Sequence, residues 1–285
     1  ETWKSFLILL SVVVWTFVTS TKHNDTDNMQ MARNMGMMMM GSPARLLKKT
    51  VLVTASDDGS RLRVVTLTFA NPGGQCLGVR LDMGDVVKVC VPDYKPKSYS
   101  MSAQREDEFD ITLKIYPNGR ASGFLDRVEI GEEIQVFRKG NKQHNPEQNV
   151  CIIAYGVGIT EAFPIAEAEL AKSENTKVIL MWALRTKEDM FWEEQINAAK
   201  EKYSDRFHLA SIFSRQEIEG TIHGRVNPEM ILDVIKNTWW DKNEPSENER
   251  KMTRFLSVGT KEMMNQTDNM LSSIGFDMPE HKLLV

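Results

Sequence analysis

The chain has 285 residues, 41% of them hydrophobic and 26% charged, enough for two globular domains with separate cores, and this excludes disorder throughout. A formal net charge of -4 with no long basic run excludes a general nucleic-acid binder. The three cysteines, Cys76, Cys90 and Cys151, lie far apart in apolar surroundings, which offers neither a metal-ligand spacing nor a disulfide framework and predicts buried free thiols.

In chain order, the first feature is an apolar run from Phe6 to Val18, with Lys4 as its positive flank and Val18-Thr19-Ser20 as small residues at its end. It is short for a membrane span, so residues 1–20 read equally as a cleaved signal peptide or a retained signal anchor. On that ground the chain is expected to be membrane-anchored, or sent to the secretory pathway or an organelle, with N-terminal membrane contact. Residues 21–43 turn polar and then methionine-rich, without helical or alternating period, and read as a tether rather than as a thioether site for a soft metal.

Over residues 44–142, short β-rich runs alternate with turn signals. Strands are predicted over 50–54, 62–69, 86–91, 109–116 and 133–137, with a helical turn over 121–127 after Pro117-Asn118-Gly119. That pattern predicts a small antiparallel barrel or sandwich. The polar segment 140–148 reads as a linker. Over residues 148–285, strands are predicted at 150–154, 177–183, 207–213, 254–258 and 282–285, and helices at 161–172, 187–202, 228–237 and 261–274. Apolar strands alternating with amphipathic helices predict a doubly wound α/β domain.

The strand at 151–154 runs into Tyr155-Gly156-Val157-Gly158-Ile159-Thr160 and then a helix. Glycines there let backbone amides approach a diphosphate, and a helix start favours negative charge without any lysine. A tight strand-to-helix turn with no ligand is the alternative reading. His23, His144, His208, His223 and His281 form no triad or metal spacing, and Glu193-Glu194 reads as a solvated helix face, so hydrolysis is not indicated.

Further segments follow in a telling order: Lys97-Ser98-Tyr99-Ser100, Lys114-Ile115-Tyr116, then Gly119-Arg120-Ala121-Ser122 with Phe124-Leu125 and Gly131-Glu132-Glu133-Ile134 behind it, the Gly156 loop, and Gly224-Arg225-Val226-Asn227. From residue 46 to 285 the chain thereby resembles the ferredoxin-NADP reductase superfamily, which includes the cytochrome b5 reductases. The resemblance implies a β-barrel flavin domain, a nucleotide-binding α/β domain, and an FAD-dependent NAD(P)H reductase that passes a hydride to FAD. Electrons then go to a haem protein of cytochrome b5 type, an iron-sulfur protein of ferredoxin type, or a quinone. It implies that Tyr99 stacks on the isoalloxazine and that Ser100 hydrogen-bonds flavin N5, as the catalytic pair. Lys97, Lys114 and Tyr116 would help hold the flavin, and Gly119 and Ser122 its diphosphate. Gly156, Gly158 and Thr160 would hold the nicotinamide nucleotide, joined by Gly259 and Met263 in the segment Val258-Gly259-Thr260-Lys261-Glu262-Met263. Ser214-Arg215-Gln216-Glu217 resembles a 2′-phosphate site, to which Arg185 and Lys187 add charge, so NADPH is favoured over NADH. No metal is implied.

Four departures stand out. Lys97 replaces an arginine that would grip a diphosphate bidentately, which predicts weaker FAD retention. Val258 replaces a cysteine beside the nicotinamide, which predicts slower turnover. Tyr155 and Glu161 replace a glycine and a proline of the nucleotide loop. Leu283-Leu284-Val285 ends the sequence without an aromatic. Lys97, Val258 and Glu161 motivate the alternative of a non-catalytic interaction or assembly protein that retains the reductase fold.

Overall fold

The computed structural model describes residues 41–77, 86–139 and 149–276. Its first half is a closed antiparallel barrel of β1 (Ser42–Val53), β2 (Val64–Ala70), β3 (Val86–Val89), β4 (Lys97–Arg105), β5 (Glu108–Lys114) and β6 (Glu133–Lys139), in the order β1-β2-β5-β4-β3-β6. Period-two alternation builds it: in β2, Val65, Leu67 and Phe69 point inward and are fully buried. They meet Leu46, Met101, Phe109 and Ile111 from the neighbouring strands in one core. Helix α1 (Arg120–Arg127) adds Leu125 to that core. Its last turn is closed from outside, where Lys49 Nζ donates to the carbonyls of Asp126 and Val128 at 2.7 and 2.9 Å.

Between the two sequence-derived options, the closed barrel is what forms. β1 begins at Ser42, within the end of the expected tether, because Ala44 and Leu46 face the core. β4 is an addition to the expected strands; Ser98, Ser100 and Ser102 give it too little apolar alternation to stand out as one.

The second half comprises β7 (Asn149–Tyr155), α2 (Ile159–Lys172), β8 (Lys177–Leu184), α3 (Glu193–Tyr203), β9 (Phe207–Phe213), β10 (Ile222–His223), α4 (Pro228–Trp239), α5 (Glu247–Lys251), β11 (Thr253–Val258) and α6 (Lys261–Ser273). The sheet is parallel, in the order β10-β9-β8-β7-β11. Both faces are covered, as the continuous apolar runs of β7 and β8 require. Ala162, Phe163 and Ile196 of α2 and α3 pack one face, and Ile231, Ile235 and Leu271 of α4 and α6 the other. Helix starts are capped by side chains: Asn227 accepts from Met230 N at 2.9 Å before α4, and Ser246 and Glu249 form a capping box on α5.

The expected helix over 187–202 splits. A 3-10 turn at Lys187–Asp189 precedes α3, and Trp192 between them takes φ 60°. Phe191 and Trp192 turn inward there, Phe191 lying edge-on to Trp182 at 5.5 Å and Trp192 6.2 Å from Phe163, so aromatic packing overrides helical propensity. The strand expected at 282–285, the methionine-rich residues 21–40 and the linker 140–148 lie outside the described residues.

The expectation of a membrane-anchored or targeted chain is corrected: among the described residues no helix is long and apolar enough to cross a membrane. The apolar run that suggested it lies in residues 1–20, outside those described.

Candidate active site

The chain leaves β7, steps outward through β8, β9 and β10, and returns to β11 on the other side of β7. The gap between β7 and β11 is thus the point where strand order reverses, the usual ligand crevice of an open α/β sheet. A cleft of about 810 Å³ opens there. Its floor is the carboxyl ends of β7, β8, β9 and β11, and its far wall is Val64, Lys114 and Tyr116 of the barrel side.

The loop after β7 is built around its glycines. Gly156 has φ 54°, a left-handed conformation that favours glycine, and a Cβ there would meet only open space. Gly158 is set by packing, since a Cβ on it would lie 2.6 Å from the Val258 carbonyl oxygen. Gly158 also serves as the N-cap of α2 without a side-chain capping bond; the Ile159 amide is taken by the Gly156 and Val157 carbonyls of the 3-10 turn before it. Trp182, fully buried, donates from Nε1 to the Gly156 carbonyl at 2.8 Å and so fixes the loop from beneath. The Tyr155 ring covers Gly259, and its hydroxyl bonds that of Thr267 at 2.7 Å.

The cleft brings together Lys114, Tyr116, Gly156, Gly158, Arg185, Ser214, Arg215, Gly259 and Met263 of the expected site. Ser214 and Arg215 are held at its rim because their amides donate to the carbonyls of Leu184 and Arg185 at 3.0 and 2.9 Å. Arg185 is already paired with Asp189 at 3.3 Å. Lys114 faces the same pair across the domain gap; burial, with Arg185, holds its ammonium below the ordinary lysine range, while Asp189 acts in the opposite sense.

The other expected residues stand apart from the cleft. Thr160 is buried, its hydroxyl donating to the Val157 carbonyl at 2.9 Å, so it braces the loop. Gly119 is the N-cap of α1, again without a side-chain capping bond, and a Cβ there would lie 2.2 Å from the Ser122 hydroxyl. That hydroxyl is buried and accepts from Tyr116 N at 3.2 Å. Near this helix start, Lys97 Nζ and the Arg120 guanidinium both lie over the Tyr94 ring, 5.5 and 5.3 Å from its centre. Tyr99 packs against the barrel core, where burial pushes its hydroxyl up to about 12. Ser100 is buried and hydrogen-bonds Glu161 of α2.

Sequence reasoning passed over Trp182 and Asp189. The Arg185-to-Asp189 spacing of four was a readable sign for the second, whereas nothing local marks a strand tryptophan as a loop support. Among the described residues no cluster of metal-ligating side chains forms.

Two bound groups with diphosphates are what this architecture accommodates. Each half presents a helix start led by glycine and without a side-chain cap, where a Cβ would strike the Ser122 hydroxyl in one and the Val258 carbonyl in the other. One adjoins cations of the barrel, the other opens onto the cleft, so the residues present fit FAD and a nicotinamide nucleotide.

Comparison with known proteins agrees. A family model described as the oxidoreductase NAD-binding domain matches residues 152–269. The chain is 25% identical over 251 residues to NADH-cytochrome b5 reductase 1 of Lodderomyces elongisporus, covering 83% of this chain and 79% of that protein. In fold it is similar to the cytochrome b5 reductase domain of Ulva prolifera nitrate reductase, with a TM-score of 0.64, 19% identity, and coverage of 85% of this chain and 96% of that one. A ferredoxin-NADP+ reductase variant from Plasmodium falciparum aligns with a TM-score of 0.63, 16% identity, and coverage of 83% and 92%. Barrel, sheet and cleft give the chain the two-domain fold of these structures, with an NAD-binding domain as its second half. Residues 152–269 thus match an oxidoreductase NAD-binding domain, and over most of its length the chain is similar to NADH-cytochrome b5 reductases.

Proposed function

We propose that this chain takes a hydride from NADPH, in preference to NADH, onto FAD and hands the electrons singly to a cytochrome b5-like haem protein, with a ferredoxin-like protein or a quinone as the other acceptor chemistries. The observation that supports the reading is the cleft at the β7–β11 reversal, roofed by the barrel, because a nucleotide held there would face the barrel half. Bound FAD supplies the chemistry: it accepts a hydride and releases electrons one at a time.

The chain's own residues bind and orient. The α1 start, with Gly119 and Ser122 and the nearby Lys97, would hold the flavin diphosphate, and Tyr99 and Ser100 the ring system. Gly156, Gly158 and the α2 amides would take the nucleotide diphosphate, with Thr160 bracing their loop, while Gly259 and Met263 border the nicotinamide. Lys114 and Tyr116, on the barrel wall, close the cleft over it. Since Arg185 is engaged by Asp189, Ser214 and Arg215 are the pair suited to a 2′-phosphate. On this reading residues 44–142 form the FAD domain and residues 148–285 the nucleotide domain.

The test is the visible spectrum of the purified full chain with added FAD, recorded before and after anaerobic addition of NADPH or NADH. A flavin band that either nucleotide bleaches is expected. A protein that stays colourless and binds no FAD would overturn the reading in favour of a non-catalytic assembly role.

A further inference from the structure

The loop that leaves β9 carries Ser214 and Arg215 to the rim of the cleft and is held there at three points. Two are backbone bonds, from Ser214 N to the Leu184 carbonyl at 3.0 Å and from Arg215 N to the Arg185 carbonyl at 2.9 Å, which most side chains would permit. The third belongs to a side chain. Gln216 Oε1 accepts from Lys187 N at 2.7 Å, reaching across to the turn that follows β8. That amide opens the 3-10 turn Lys187–Asp189, whose own N-cap residue, Thr186, makes no side-chain capping bond. A helical turn whose start lacks a local cap takes its partner from elsewhere, and here a loop 29 residues further along the chain provides it.

The turn so capped also engages two of the three cations that the sequence sets beside it. Its Asp189 holds Arg185 at 3.3 Å, and its Lys187 Nζ is taken by Glu193 at 2.6 Å. Arg215, the third, is exposed and makes no ion pair among the described residues. Gln216 is half-buried and stands outside the cleft wall, so it touches the loop and not the space a ligand would fill.

We propose that Gln216 is a positioning residue for nucleotide choice: by tying the Ser214–Arg215 loop to the turn Lys187–Asp189, it holds Arg215 ready for a 2′-phosphate. The inference rests on the NADPH reading above. A guanidinium grips a phosphate through parallel N–H bonds, so it needs a fixed orientation as well as nearness. A loop without its side-chain tie samples more backbone conformations, and ordering it on binding weakens the grip. The Gln216 bond lies at the exposed surface, where water can replace it on Lys187 N. Its loss therefore bears on the order of the loop far more than on the stability of the fold.

The experiment measures, by calorimetry, the binding of adenosine 2′,5′-bisphosphate and of adenosine 5′-monophosphate to the full chain and to Gln216→Met. That variant keeps the length of the side chain and loses its acceptor. The ratio of the two affinities isolates the 2′-phosphate. The unaltered chain should prefer the bisphosphate, and in Gln216→Met this preference should fall about fivefold, the ordinary worth of one hydrogen bond. A role confined to structure would lower the thermal midpoint and weaken both nucleotides alike. An unmoved ratio of that kind overturns the inference and leaves the NADPH reading standing. An unaltered chain that binds the two nucleotides equally overturns both. Should Gln216→Met fail to fold, hydrogen exchange of the unaltered protein decides. Slower exchange at the Lys187 amide with the bisphosphate bound than with the monophosphate supports the role, and equal exchange overturns it.

Discussion

Burial holds Glu161 near 7 in the folded protein, against its ordinary 4.5, so the folded state keeps this proton where the unfolded chain gives it up. The sign follows directly: the contribution to stability is complete below about pH 4.5 and is lost as pH rises through about 7. A difference of this size is worth about 3 kcal/mol. Urea unfolding of the flavin-free chain should therefore show stability declining between those limits, and Glu161→Gln should flatten the decline. An unchanged slope in the variant would remove Glu161 as its source. Such side chains are poorly legible in a sequence. Glu161 is visible there as a substitution in a glycine loop, but its burial arises from β4, which lies far away in the chain. Gly156 and Gly158 were legible because backbone geometry admits few alternatives. Trp182 and Asp189 were not, because their roles exist only across strands.

Between elements, α2 and β11 approach so closely that Gly158 meets the Val258 backbone. Gly158 already has φ -57°, so alanine there is conformationally acceptable and its cost is purely one of space. Gly158→Ala should destabilise the protein by about 1–3 kcal/mol, read as a lowered denaturation midpoint, because the atom it strikes is main chain and cannot swing aside. A neutral substitution would show that α2 can slide without loss. The same level explains which elements the sequence revealed. β9 is found at Phe207–Phe213 as expected, since it is an apolar run bounded by polar turns. The helix expected over 187–202 was misread because its period did not disclose that Phe191 and Trp192 are drawn toward Trp182 and Phe163. β10, a two-residue strand, offers too little pattern to be recognised at all.

For the molecule as a whole, the order of the motifs was more informative than any one of them. A β-rich half followed by alternating strands and helices was enough to anticipate barrel and sheet, and both formed. What the sequence did not disclose is the assembly of the site, where Lys114 and Tyr116 of the barrel face Arg185 and Arg215 of the sheet across a single cleft. The proposed nucleotide preference belongs to this scale, since Ser214 and Arg215 reach the cleft from the end of β9 while Lys114 and Tyr116 reach it from the barrel. Arg215→Ala should raise KM for NADPH by about tenfold or more, the loss of a charge-assisted bond, while leaving that for NADH nearly unchanged. Equal effects on the two nucleotides would remove Arg215 from 2′-phosphate recognition.

Trp182 carries a further consequence. Its indole is fully buried and tethered to the Gly156 carbonyl, in the loop proposed to hold the nucleotide. The molecule thus contains a native fluorophore wired to its own ligand loop. It is one of six tryptophans, so the share of the emission that responds to the loop is what Trp182→Phe removes; a nearby isoalloxazine would drain that share by resonance energy transfer, and occupancy can be followed by light without any label.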